Sequence, residues 1–163
     1  MLNENTRVAA QEGLKKQLNA CYKFCSAMDN AGLSKALGMS MKKQCQNDVI
    51  VISLFFAMAD GVVAQEEADL LNHILECNIS ASRYQEIYTN AKIDKNAFLS
   101  RKVMTLEIAK ILDEVMKSDS SVKVFIDTFI NIAKIMISID GDIDEEEMAA
   151  IVSYQTNLEL KYL

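Results

Sequence analysis

The chain has 163 residues, is 50% hydrophobic and 25% charged, and carries a formal net charge of -6. This composition excludes a disordered or fibrous protein. The acidic balance excludes a general affinity for nucleic acid, because such binding neutralises phosphates with Lys and Arg. The absence of proline and the presence of only 5 glycines favour long helices joined by short turns.

The first third of the chain predicts an amphipathic helix followed by a break. Helical spacing over residues 4–28 relates the apolar positions Val8, Leu14, Leu18, Cys21, Cys25 and Met28. Residues 33–39, bordered by Gly32 and Gly38, indicate a short helix or loop. A stronger helix is predicted over residues 41–59, and its end, VIVISLFFAMA, is apolar on every side. A helix of this kind belongs at the centre of a bundle.

The remaining two thirds predict five more helices. One covers residues 65–76, with these side chains inward: Ala68, Leu71, Ile74 and Leu75. Ser82 and Gln85 have the spacing of a capping box and predict a short helix to about residue 90. Asp94 is expected to cap a helix that continues to about residue 117, with this core: Val103, Leu106, Ile108, Ile111, Leu112 and Val115.

The last two helices are predicted over residues 122–139, apolar nearly all round, and from residue 145 to the chain end. No stretch alternates with the period of a strand, so the prediction is an all-α protein, a single bundle of seven to eight helices. The apolar stretches 49–59 and 122–139 are too short or too charged to cross a membrane. The N-terminus lacks the pattern of a secretory signal, so we expect a cytoplasmic protein.

A helix, Asp-Gly loop, helix unit occurs twice. DGVVAQEE at 60–67 matches DGDIDEEE at 140–147, eighty residues later. Each copy follows a strongly apolar helix and precedes an amphipathic one. The identical or similar pairs are Asp60 with Asp140, Gly61 with Gly141, Val63 with Ile143, Glu66 with Glu146, and Glu67 with Glu147. Shared residues in the same structural context indicate a duplicated unit.

The carboxylates of these loops have two interpretations. Asp144 is a good N-cap with Glu147 three residues later, and acids at a helix N-terminus are stabilised by its dipole. Capping explains less well the density of six carboxylates between residues 140 and 147. Their mutual repulsion would be relieved by a bound cation, and hard cations such as Ca²⁺ and Mg²⁺ take oxygen ligands.

An EF-hand is excluded as the form of such a site. If Gly141 occupies the sixth position of an EF-hand loop, the first and third positions fall on Met136 and Ser138, and in the first copy on Phe56 and Met58. These side chains do not supply the required ligands. A different site, shared between the two loops across a pseudo-dyad, remains open beside capping.

The paired motifs FFAMADGVVAQEE and IMISIDGDIDEEE resemble the TerB-like family, helical domains named for bacterial tellurite resistance and also found in DnaJ-like co-chaperones. The resemblance covers roughly residues 42–154 and divides the chain into an N-terminal helical extension, 1–41, and a TerB-like domain, 42–163, within one compact domain. It implies a non-catalytic stress-response module with protein partners, basic or membrane-associated, which would hold it at the inner face of the membrane. The alternatives are a metal-independent interaction domain and the N-terminal regulatory domain of a larger ATPase or co-chaperone.

The resemblance also implies a divalent-cation site, Ca²⁺ or Mg²⁺, at the two loops. By position the ligands fall on Asp60, Glu67, Asp140 and Glu147, with Glu66 and Glu146 as second choices. Asp142 and Asp144 complete the candidate metal set in the more acidic second loop. The first loop has Ala64 where a capping Ser or Asp would be expected, which gives it fewer oxygen ligands.

Catalysis is the weakest interpretation of the sequence. Metal-dependent helical enzymes hold their metals with several histidines, and the chain has 1 histidine, His73. No phosphate loop, dinucleotide fingerprint or nucleophile elbow is present. The 4 cysteines are expected to be small hydrophobic core residues, although Cys21 and Cys25, one helical turn apart, have the spacing to chelate a soft metal.

Overall fold

The fold consists of helices throughout the part of the chain that the computed structural model describes, residues 4–57, 62–91, 95–118, 120–140 and 143–163. These ranges contain no strand and two short 3₁₀ helices, Lys35–Leu37 and Ser138–Asp140. They also contain the α-helices α1 (Glu4–Asn30), α2 (Met41–Ala57), α3 (Gln65–Leu75), α4 (Ala81–Asn90), α5 (Lys95–Ser100), α6 (Met104–Met116), α7 (Ser120–Ile137) and α8 (Glu145–Tyr162). The predicted all-α bundle is confirmed.

Two strongly buried helices, α2 and α7, lie at the centre. Among the described elements, α2 and α7 share the most extensive contact. Residues 48–54 of α2 are buried without interruption, and α7 buries phenylalanine and isoleucine on several sides, at Phe125, Ile126, Phe129 and Ile130. A helix that is apolar all round is stable in water only when neighbours cover every side. The prediction that the helix over residues 41–59 belongs at the centre is confirmed, and α7 is its main neighbour there.

The other helices surround this pair in a pattern that repeats. α1 packs against α2, α3 and α7, whereas α6 packs against α7, α8 and α2. Exchanging α1 with α6, α2 with α7 and α3 with α8 converts one set of contacts into the other. Packing therefore extends the predicted two-helix repeat to three helices per half. The side chains of Leu14, Leu18 and Met28 bring α1 into the same core as residues 42–163.

The helix predicted over residues 94–117 is present as two helices, so its continuity was predicted wrongly: the chain leaves helical geometry at residues 101–103 between α5 and α6. Its predicted cap, Asp94, lies outside the described residues. Buried acceptors explain the break. Asp48 of α2 accepts hydrogen bonds from the Thr105 backbone N–H at 3.0 Å and the Arg101 guanidinium at 3.0 Å. The Tyr162 hydroxyl accepts the Val103 N–H at 3.1 Å. The contacts to the Val103 and Thr105 N–H groups satisfy backbone donors that a continuous helix would have bonded internally.

Three predicted core residues are instead exposed, Val8 by 52%, Ile111 by 46% and Val115 by 66%. In α6 the buried face includes the polar residues Thr105 and Asp113. Each makes buried hydrogen bonds that fix the rotation of the helix. Apolar periodicity alone could not show this, because it counts only hydrophobic side chains.

The predicted capping box at Ser82 and Gln85 is also wrong. Ser80 is the N-cap of α4, and its hydroxyl accepts the Arg83 N–H at 3.1 Å. Gln85 accepts the Val63 N–H at 2.9 Å, so it fixes the turn before α3 from a neighbouring helix.

None of the described helices is both long and apolar enough to cross a bilayer.

Candidate functional site

The acidic corner of the first unit is the turn that leads into α3. Ala64 has the extended backbone of an N-cap, and its N–H donates to Glu67 Oε1 at 3.0 Å. Glu67 is only 5% exposed, whereas Glu66 is exposed. Glu67 therefore supplies one half of a capping box, and Ala64 has no side-chain oxygen to supply the other.

The acidic corner of the second unit is the turn that leads into α8. Asp144 is its N-cap, and Asp144 Oδ1 accepts the Glu147 N–H at 2.7 Å. Asp144, Glu145 and Glu146 are exposed, and Glu147 is half-buried. The capping interpretation is confirmed for Asp144, because its carboxylate is placed against the positive end of the helix dipole.

Several predicted metal ligands are outside the described residues. These are Asp60 and Asp142, together with the loop glycines Gly61 and Gly141. Asp140 is described only as the backbone end of a 3₁₀ helix. Of the candidate ligands, the structure places Glu66, Glu67, Asp144, Glu146 and Glu147. Among the side chains that it describes, no three of His, Cys, Asp and Glu stand close enough together to hold a metal ion.

A cleft of about 260 Å³ lies between α1, α3 and the end of α7. From the first unit it is lined by Glu66, and from the second by Ile139, the residue before Asp140. The first acidic corner and the end of α7 that leads to the second corner thus border one cavity. The other residues that line it are Gln11, Asp69, Leu70, His73 and Ile135.

The charged rim of this cleft lies on one face of α3. Glu66, Asp69 and His73 follow one another at three and four residues, the spacing of a helix face. Asp69 accepts a hydrogen bond from Gln65 at 2.8 Å, and Glu12 of α1 has its Oε1 3.6 Å from His73 Nε2. Sequence reasoning missed this cleft, because its floor comes from α7 and depends on the packing of α1, α3 and α7.

The cysteines form part of the core. Cys21, Cys25 and Cys45 are buried and Cys77 is half-buried, all with free thiols. Cys21 donates to Thr128 Oγ1 at 3.3 Å, and burial raises the pKa of its thiol to about 12. Because the thiolate is the form that binds metals, Cys21 and Cys25 have the properties of core residues rather than of soft-metal ligands.

No family model matches the chain. No characterised protein and no solved structure matches it either. The features that bear on function are therefore the duplicated unit, its two acidic corners and the cleft between α1, α3 and α7.

Proposed function

We propose that the protein is a non-catalytic, TerB-like binding module in which the two acidic corners bind a divalent cation, Ca²⁺ or Mg²⁺. The single observation that carries the proposal is the exposure of three consecutive carboxylates at the second corner, Asp144, Glu145 and Glu146; the cleft supports it, because Glu66 of the first unit and Ile139, which precedes Asp140 of the second, both line it. Residues from both repeats border this one cavity. A pseudo-twofold axis between the two repeats would give this arrangement. The helix contacts support such an axis, because exchanging α1 with α6, α2 with α7 and α3 with α8 converts one set of contacts into the other.

The second corner is the stronger ligand source. Three consecutive residues at the N-terminus of α8 are exposed, Asp144, Glu145 and Glu146. Carboxylate oxygens are the ligands that hard cations prefer. The first corner offers less, because Glu67 is buried and bonded to the Ala64 N–H. We therefore assign the main ligands to the second unit, with Asp140, Asp142, Asp144, Glu146 and Glu147 as the set, and Asp60, Glu66 and Glu67 as the lesser set.

Titration with Ca²⁺ and with Mg²⁺ tests the proposal. We expect saturable shifts of the amide resonances of residues 143–147 and a rise in melting temperature, because a ligand that binds only the folded state stabilises it. Asp144→Ser and Glu146→Gln should weaken both effects. Serine keeps an N-cap acceptor, so Asp144→Ser removes charge without removing the cap. A flat response to millimolar cation would overturn the metal assignment.

A second function, docking of a basic partner segment without metal, is favoured by one observation. Glu67 and Asp144 are already engaged in hydrogen bonds at their helix N-termini, so part of the acidic charge has a structural role. The net charge of -6 would still attract a basic partner. Capture of a partner that weakens with salt and is indifferent to chelator would select this function over cation binding.

The wider assignment to stress response of the tellurite-resistance type follows the resemblance to TerB-like domains. Within it, the module acts through protein partners in the cytoplasm, or at the inner face of the membrane through them. A role as the regulatory domain of a larger ATPase or co-chaperone fits the same architecture. Deletion of the gene, scored for tellurite tolerance with and without a copy encoding Asp144→Ser and Glu146→Gln, tests the physiological part of this proposal.

A further inference from the structure

The cleft between α1, α3 and α7 combines an apolar floor with an acidic rim. Leu70, Ile135 and Ile139 line it with hydrophobic surface and are themselves buried in the core. Glu66 and Asp69 line it with exposed carboxylates. A cavity with this division suits a ligand that is aliphatic along its length and positively charged at its end.

Its size also restricts the ligand. Drug-sized ligands and cofactors occupy cavities of about 300–1,000 Å³, whereas this cleft measures about 260 Å³. The volume is suited to one long side chain rather than to a nucleotide or a flavin. A lysine or arginine side chain fits this volume, and its aliphatic stem and charged end match the apolar floor and the acidic rim.

The electrostatic surroundings favour a cation, and the spacing of the acids favours arginine. Glu66 and Asp69 are the two carboxylates that line the cleft, Glu12 beside His73 is already paired with Lys15 at 3.8 Å, and the whole chain carries a charge of -6. Glu66 and Asp69 stand on adjacent turns of α3, so a planar guanidinium with five donors can contact both at once, which a single ammonium does less well.

We infer that this cleft binds an arginine side chain presented by a partner protein, with the aliphatic stem on Leu70, Ile135 and Ile139 and the guanidinium between Glu66 and Asp69. The inference deepens the proposed binding function and rests on the protein being a binding module rather than an enzyme. It assigns the partner's chemistry at the cleft, takes Glu66 out of the lesser set of cation ligands, and leaves the second corner to the divalent cation.

The test uses the whole chain and two small probes. Nα-acetyl-arginine amide is titrated while amide resonances are recorded, with Nα-acetyl-citrulline amide as the neutral control of similar shape. We expect saturable shifts at residues 66–73 and 135–139 with arginine, and much weaker ones with citrulline. Absent shifts, or equal binding of the two probes, would overturn the inference.

Two charge-matched variants locate the site. The double variant Glu66→Gln, Asp69→Asn should bind arginine about fivefold more weakly, the equivalent of about 1 kcal/mol for two exposed ion pairs. The control Glu76→Gln, Glu114→Gln removes the same charge at exposed positions outside the cleft and should bind as the parent does. Equal weakening in both variants would reduce the effect to net charge and contradict the inference.

The two proposals fail separately in these experiments. Ca²⁺ binding is read at residues 143–147, and arginine binding at residues 66–73. A flat Ca²⁺ titration with arginine bound overturns the metal assignment alone. A Ca²⁺ response without arginine binding overturns the cleft assignment alone.

Discussion

Asp48 shows how one side chain can direct the path of a distant segment. It is fully buried on α2, where it accepts hydrogen bonds from the backbone and hydroxyl of Thr105 at 3.0 and 2.6 Å. Arg101 approaches it at 3.0 Å and is itself one quarter exposed. A buried carboxylate is tolerated only when it is paired and hydrogen-bonded in this way. Asp48 therefore fixes the start of α6 against α2.

We expect Asp48→Ala to lower the free energy of unfolding by about 3 kcal/mol, because it leaves the Arg101 guanidinium and the Thr105 donors without their acceptor. Urea denaturation measures the loss. Thr105→Val, which removes the hydroxyl donor alone, should cost about 1 kcal/mol. The exposed control Asp69→Ala should stay within about 0.5 kcal/mol of the parent. A loss no larger than that of the control would contradict the role of Asp48.

The four thiols should differ in reactivity according to their burial. Cys77 is half-buried, whereas the other three are buried, and burial raises the pKa of the Cys21 thiol to about 12. The thiolate is the reactive form. With a thiol-specific reagent at neutral pH, we expect Cys77 to react first in the native protein and all 4 cysteines to react in urea. Cys77→Ser should abolish the rapid phase, and a rapid phase that persists would show that this ordering is wrong.

The two duplicated turns solve the same capping problem with different residues. The N-cap of α8 is Asp144, whose side chain accepts the Glu147 N–H, whereas the N-cap of α3 is Ala64, which makes no side-chain cap. Both N-cap residues have extended backbone, with ψ 171° for Asp144 and 154° for Ala64. The backbone of the first turn is therefore already suited to a capping side chain that the sequence does not provide.

We expect Ala64→Ser to raise the free energy of unfolding by about 1 kcal/mol, because serine supplies the missing acceptor at an N-cap position. Asp144→Ala should lower it by a similar amount, and Asp144→Ser should change it little. Thermal or urea denaturation of the three variants measures these differences. If Ala64→Ser leaves stability unchanged while Asp144→Ala is destabilising, the two turns are not equivalent as capping sites.

Helix positions and the central pair could be predicted from the sequence, since apolar periodicity and helix-end residues are local signals. The capping role of Asp144 could also be predicted from the sequence, because an N-cap residue and its N3 partner lie only three positions apart. The break at residues 101–103 was not, since it depends on Asp48 and Tyr162, far away in the chain. The cleft was missed for the same reason. Glu66, Asp69 and His73 show their shared face in the sequence, but Ile135 and Ile139 join them only through packing.

The whole molecule combines a symmetric core with asymmetric surroundings. α1 and α6 make equivalent contacts around the central pair, α2 and α7. The two halves differ at the end of α2. There Phe55 stacks on Phe98 with ring centroids 3.6 Å apart, and Phe56 contacts Tyr154 at 5.5 Å. In the other half, the end of α7 borders the open cleft. In one half, therefore, aromatic rings pack at the end of the central helix, and in the other the end of the central helix borders an open cleft.

We expect α1 to be required for folding, although the resemblance to TerB-like domains begins only near residue 42. Leu14, Leu18 and Met28 of α1 are buried in the common core, and their burial alone contributes about 5–9 kcal/mol. That is comparable with the whole stability of a typical domain, about 5–15 kcal/mol. We expect residues 40–163 alone to lose cooperative unfolding in urea. A peptide of residues 4–30 added in trans should restore the transition, whereas the same peptide with Leu18→Asp should not. A fragment that unfolds at the midpoint of the full chain would show that α1 is only an accessory.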